Sequence, residues 1–336
     1  AALGGMAVPA LIYATFNWGT RDIRGWGVPM ATDIAFAIGV LALVGSRVPS
    51  ALKVFLTALA IVDDIGAVVV IALFYGHSIV LPALAVGIAV LAISFVAGRG
   101  GVRSPIVYAL LGIAAWAAFL RSGIHATIAG VLLAMTIPAT TKLDAAGFRT
   151  RVQKALADFG KLTNGAVPTL GAEQQASIAA LESACEEVQT PLQRLERTLH
   201  PWVSYGIMPL FAMANAGVEV SDMGLIERAQ VPLGIMLGLV IGKPVGITVF
   251  SWLAVRLGFA ERPSDVSWTQ LLGAGMLGGI GFTMALFIAG LAFTNPTTLA
   301  AAKGAILGAS LLAGVVGYVF LRAVHSPEGP DAAPGA

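Results

Sequence analysis

Long apolar runs separated by short polar breaks organise this chain. A helix needs roughly 20 apolar residues to cross the hydrocarbon of a bilayer. Ten stretches approach that length: 1–16, 28–45, 51–75, 78–98, 105–120, 122–138, 201–217, 231–255, 269–293 and 299–322. The second and fifth are short or interrupted by Gly and Pro. The pattern predicts an all-α polytopic membrane protein with about ten transmembrane segments. Segments one to six fill 1–138, a polar loop 139–200 follows, segments seven to ten occupy 201–325, and a disordered tail takes 326–336.

The 139–200 loop is the one soluble-looking region. Ile178, Leu181, Cys185, Val188, Leu192, Leu195 and Leu199 step by three and four, a helical stripe. Thr190, Pro191 and Gln193 read as an N-cap, a first-position proline and the far end of a capping box. Two short amphipathic helices broken at Thr190 are expected, as a surface element on the membrane or the bundle, or as an arm for a partner.

Composition sharpens the membrane reading. Of 336 residues, 57% are hydrophobic and only 11% charged, with mean hydropathy +0.86. Soluble domains carry about 25% charged residues. The 40 glycines suit close helix packing in lipid. A net charge of +2 and no basic patch with interleaved aromatics give no sign of nucleic-acid binding. With Cys185 alone, no disulfide framework is possible. The chain opens inside an apolar run without a signal-peptide pattern, so it reads as a fragment.

Positive residues stay on the cytoplasmic side. One set of connections holds Arg47, Lys53, Arg99, Arg103, Arg256, Arg262, Arg322 and the seven Lys and Arg residues of the long loop. The opposite set holds only Arg21, Arg24, Arg121 and Arg228. A cytoplasmic C-terminus is the expectation.

Most charged residues sit in loops or at the edges of the predicted spans; four do not: Asp33, Asp63, Asp64 and Lys243. Each costs roughly 2.5–3.5 kcal/mol at a helix centre, so such residues pair, line water-filled cavities or function. Low dielectric disfavours an ionised carboxylate. A membrane carboxylate is therefore a natural proton carrier, and it is also a hard oxygen ligand for a small cation. Asp63 and Asp64 are adjacent, hence about 100° apart on a helix. One can meet Lys243 at the same depth while the other faces a wet cavity. A structural Asp–Lys pair is the bland alternative, yet it leaves the second aspartate without a cation.

Asp33 lies in a segment with Pro29 near its start and Gly39 beyond. The 269–293 segment carries Gly273, Gly275, Gly278, Gly279 and Gly281 ahead of Phe282 and Thr283. Interrupted segments in the two halves of a transporter point to its binding site. Glycine clusters also serve as packing surfaces, and Gly275 with Gly279 fits that reading too.

Several blocks, in order, resemble the NhaA family of bacterial sodium/proton antiporters: Met30-Ala31-Thr32-Asp33-Ile34-Ala35-Phe36, Ala60-Ile61-Val62-Asp63-Asp64-Ile65-Gly66, His200-Pro201-Trp202-Val203, Gly242-Lys243-Pro244 and Gly279-Ile280-Gly281-Phe282-Thr283. That family is itself a known case of inverted repeats with discontinuous helices. The resemblance implies the inverted-repeat antiporter fold, with 28–45 and 269–293 as the two crossing broken helices. It implies that Asp64 with Asp63 binds the ion, Asp63 pairing with Lys243. Asp33 would offset the opposed half-helix N-termini and Lys243 the opposed C-termini, with Thr32 a polar neighbour. The activity implied is electrogenic exchange of sodium or lithium for protons across the bacterial inner membrane, without a cofactor and not as an enzyme. Partners would be lipid, sodium and protons, with a homodimer possible.

Glu196 and His200 stand where family members sense pH, and His125 is a weaker candidate; a membrane-edge histidine often only packs. The resemblance also implies that the first two membrane helices and a dimer-forming hairpin are missing. It marks an insertion at roughly 143–189 where the family has a short connection. An intramembrane aspartyl protease would need its carboxyls on separate helices after a Gly-x-Gly turn, which none of the nine aspartates follows. A sodium-coupled symporter would need a larger cavity for an organic solute, and Lys243 opposing the aspartates argues against it. An antiporter-like scaffold that has lost transport is disfavoured by the intact charged residues.

Overall fold

A computed structural model describes residues 1–45, 48–76, 79–161, 171–217, 229–263 and 265–324. Arg47 and Arg228 of the charge count, residues 162–170 of the long loop and the 326–336 tail lie outside them. Among the described residues every regular element is helical. The chain divides into two compact units, Ala1–Tyr75 with Pro209–Ala336, and Gly76–Met208.

Among the described residues six stretches are long and apolar enough to cross a membrane: Arg21–Val44, Ser50–Phe74, Leu81–Arg99, Pro105–Ser122, Gln230–Arg256 and Pro296–Ala323. A seventh is the pair Trp268–Gly278 and Phe282–Ala292, bent by 47° at its break. Ala2–Asn17 and Thr127–Thr136 are apolar but shorter. The expected 201–217 span is divided between the end of one helix, a π turn at Val203–Ile207 and the helix α10 (Met208–Ala216).

In the first unit, α1 (Ala2–Asn17) is followed by a 3-10 segment, Arg21–Met30, and by α2 (Ile34–Val44), with residues 31–33 extended between them. Proline at position 29 and the N-cap at Asp33 divide this span into two half-helices. Helix α3 (Ser50–Phe74) crosses unbroken.

Four glycines at every fourth residue, Gly234, Gly238, Gly242 and Gly246, lie along the chain that pairs with α1. A Cβ at Gly234 would meet Tyr13 and Asn17, at Gly238 Pro9 and Pro29, at Gly242 Pro9 and Ile12, and at Gly246 the carbonyl of Gly4. Without side chains there, the two backbones approach closely enough for dispersion to replace the hydrophobic drive that lipid removes. The apolar core around Tyr13, Ile235, Leu239, Leu286 and Ile306 closes the same unit.

The second unit begins with α4 (Leu81–Arg99), α5 (Pro105–Ser122) and α6 (Thr127–Thr136), which share a small core of Ala115, Phe119 and Ala129. Polar chain follows, as expected, but it forms three helices rather than two: α7 (Ala145–Lys161), α8 (Ala172–Val188) and α9 (Pro191–Trp202). In α7, Phe148, Val152, Ala155 and Phe159 step by four and three, a stripe interleaved with Arg149, Arg151 and Lys154. The α8–α9 break sits at Thr190, whose Oγ1 accepts from Gln193 N at 3.1 Å while Gln193 Oε1 accepts from Thr190 N at 3.2 Å. Helix α9 runs on past His200 and Pro201 instead of ending there.

Candidate ion-binding site

The site is assembled by two interrupted spans, one kinked one and the unbroken α3, all in the first unit. The second interrupted span is α13 (Trp268–Gly278) and α14 (Phe282–Ala292), and its break lies against the 31–33 break: Asp33 N donates to Ile280 O at 2.6 Å. Each break thus satisfies backbone groups of the other, which is what allows irregular chain at membrane depth.

The kinked span comprises α11 (Gln230–Leu237), a π turn at Gly238–Gly242, and α12 (Lys243–Arg256). Pro244 has no N–H to return to Val240, and the helix widens there, with Lys243 N donating to Gly238 O. The same motif recurs at Val203–Ile207, just before Pro209. The lysine on this widened turn is wholly buried.

Asp33, 2% exposed, serves two helix starts at once. Its Oδ1 accepts from Phe36 N at 3.2 Å, capping α2. Its Oδ2 accepts from Thr283 N at 3.0 Å and Thr283 Oγ1 at 2.5 Å, at the start of α14. Helix N-termini carry about half a positive charge each. One carboxylate therefore meets two positive ends, and its charge is compensated without a basic residue.

The opposite pole is built around Lys243. Its Nζ donates to Asp63 Oδ2 at 2.5 Å and to Thr32 Oγ1 at 2.6 Å. Thr32 Oγ1 is 2.9 Å from Gly278 O, the last carbonyl of α13, and 3.0 Å from Asp63 Oδ2. A hydroxyl has one proton. Because the ammonium already serves Asp63, donation to Gly278 O satisfies the most groups. A buried cation stands beside the negative end of a half-helix, with threonine as the bridge.

Asp63 and Asp64 project differently from α3: Asp63 is wholly buried, whereas Asp64 is half-buried. Oδ1 of each is buried with no hydrogen-bond partner. Such atoms are costly unless something completes them. The charges in electrostatic reach of Asp64 are those of Asp33, Asp63 and Lys243. Asp33 is offset by helix ends and Asp63 by the lysine, so Asp64 is the carboxylate without its own counter-charge. Hard cations take oxygen ligands of this kind. Among the described residues no group of three or more His, Cys, Asp or Glu is placed to hold a metal ion.

Thr32, Asp33, Asp63, Asp64 and Lys243 are thus gathered in one unit. Glu196 and His200 belong to the other, exposed and one turn apart on α9; His125 is half-buried between α5 and α6, its carbonyl accepting from Ile128 N at 3.1 Å. Thr283 and Ser310, whose hydroxyl accepts from Phe282 N at 3.1 Å, were not singled out as site residues. Thr283 directly follows the glycine-rich break, where a polar residue opening a half-helix is the signal for it; nothing local marks Ser310.

The family model described as Na+/H+ antiporter 1 matches residues 1–321. The chain belongs to that family. It is similar to a protein of Wolinella succinogenes named Na(+)/H(+) antiporter NhaA, at 50% identity over 322 residues, 96% of this chain and 71% of the relative. A protein of the same name from Oleidesulfovibrio alaskensis is 49% identical over 335 residues, 99% of this chain and 74% of the relative. A third, from Koribacter versatilis, is 50% identical over 322 residues, covering 96% and 70%. This antiporter family comprises transporters rather than enzymes, and its membership agrees with the apolar spans of a multi-pass membrane protein.

Proposed function

We propose that this chain is a sodium/proton antiporter in which Asp64, with Asp63, holds either a proton or a sodium or lithium ion. The observation that carries the reading is the pair of adjacent mid-span carboxylates, each with a buried and unpartnered Oδ1 and only one lysine between them. A proton and an alkali cation compete for the same oxygens, so loading one releases the other. Exposing that choice alternately to each side of the membrane couples the two fluxes. The cation displaces the proton of Asp64; for net charge to move in each cycle a second proton must leave with it, and the Asp63–Lys243 pair is the other proton-holding group of the site.

Asp33, Thr32 and Lys243 set the electrostatics, holding the ends of the broken helices together while the site is charged or neutral. The protein sits in the bacterial inner membrane with its C-terminus and the 139–200 helices in the cytoplasm. It needs no cofactor, and its partners are lipid and the transported ions; the family resemblance adds a second copy of the chain as a further candidate. Glu196 and His200, one turn apart, are placed to respond to cytoplasmic pH; His125 is a lesser candidate.

The test uses everted vesicles containing the protein. Adding sodium or lithium is expected to dissipate a preformed pH gradient, and Asp64→Asn is expected to abolish the response. Full activity in that variant would end the proposal.

A further inference from the structure

A groove of about 440 Å³ runs between α2 and the last helix, α15 (Pro296–Ala323). Phe36, Val40 and Leu43 form one wall, Leu307 to Tyr318 the other, and Ile280 the floor. Its volume lies within the range of ligand sites, roughly 300–1,000 Å³. The hydroxyls along it are engaged: Ser310 accepts from Phe282 N, and Tyr318 Oη accepts from Arg322 Nη1 at 2.6 Å. An apolar occupant is what such a lining accommodates.

Two dimensions narrow that occupant. The wall from Leu307 to Tyr318 rises roughly 16 Å at 1.5 Å per residue. That is about one leaflet of a hydrocarbon core roughly 30 Å thick. One helical turn past Tyr318, at the outer end, stands the exposed Arg322, its guanidinium 5.8 Å from the Tyr318 ring centroid. A guanidinium offers five N–H donors in a fork matched to phosphate. The inner end stops at the helix break.

The geometry points to a binding site for one acyl chain of an anionic phospholipid, seated between α2 and α15 with its headgroup on Arg322. The chain's end then packs on Ile280, whose carbonyl takes the Asp33 N–H, and on Phe282, which meets Phe36 edge-on at 4.9 Å. The lipid braces the crossing of the broken helices from the membrane side. This site depends on the membrane reading and not on ion exchange, and its test reads binding alone.

The protein is reconstituted in phosphatidylcholine liposomes carrying traces of phosphatidylglycerol or phosphatidylcholine with a mid-chain diazirine. After illumination, adducts are mapped by mass spectrometry. They are expected to concentrate on residues 36–43 and 307–318 over the exposed Ile88 and Ile93 face of α4, with phosphatidylglycerol labelling the more heavily. Arg322→Gln should cut that headgroup preference roughly fivefold. Gly314→Phe should empty the groove of either lipid; a Cβ there makes ordinary contact with Ile280, at 3.5 Å. Uniform labelling of all lipid-facing helices, equal labelling by the two headgroups, or crosslinks to another polypeptide segment in the groove would each overturn the assignment.

Discussion

Replacing Lys243 by methionine isolates the electrostatics of the site. The substitution keeps the length of the side chain and removes the charge, stranding Asp63, which like Lys243 has no exposed side-chain surface. Breaking a buried pair by deleting one partner costs about 3–5 kcal/mol. Thermal melting in detergent is expected to show Lys243→Met less stable than wild type by a loss of that size. Adding Asp63→Leu should restore most of the stability, since an apolar pair replaces a buried ion pair at little cost. Wild-type melting of Lys243→Met, or a double variant no more stable than the single one, would refute the coupling of this pair.

Thr283→Val keeps the shape of the side chain but removes one of the two bonds to Asp33 Oδ2. A loss of about 1.5–3 kcal/mol in detergent melting is expected, and Thr283→Ser should recover most of it. Gly246→Ala places a methyl group against the Gly4 carbonyl and should cost about 1–3 kcal/mol. Gly308→Ala, with open space at its Cβ, should be neutral or stabilising by up to about 1 kcal/mol; the same melting assay separates the two. Outside the membrane, Glu187 is clasped by Lys142 at 3.3 Å and Arg151 at 2.7 Å. Desolvation of its carboxyl is the largest single influence and acts upward, but the combined hydrogen bonds and charges of Lys142 and Arg151 hold it below the usual range. A depressed carboxylate contributes stability above its unfolded value and loses it as pH falls through the folded one. Hydrogen exchange across α7 and α8 should therefore be unchanged between pH 7 and 5 after correction for intrinsic rates, and should quicken below pH 4. Protection that persists there would remove the clasp as its cause.

The apolar runs, the rarity of charge and the capping box at Thr190 are local properties, and the chain alone determined them. Helical geometry also settled that Asp63 and Asp64 must look in different directions, because neighbours on a helix cannot share a face. Proline and glycine marked where the two spans break. Which of the two aspartates takes Lys243 was not a local matter, since the residues lie 180 positions apart, and only the resemblance named Asp63. The docking of Asp33 on Thr283 spans 250 positions, and no periodicity in either segment encodes it. The widened turn that carries Lys243 follows from Pro244, but its register against Thr32 depends on the glycine row lying along α1. Tertiary structure decided these contacts because in lipid there is little hydrophobic preference among helix faces. Close backbone approach and the need to satisfy every polar group at the two breaks select the one arrangement in which both ends of the broken helices find their counter-charges.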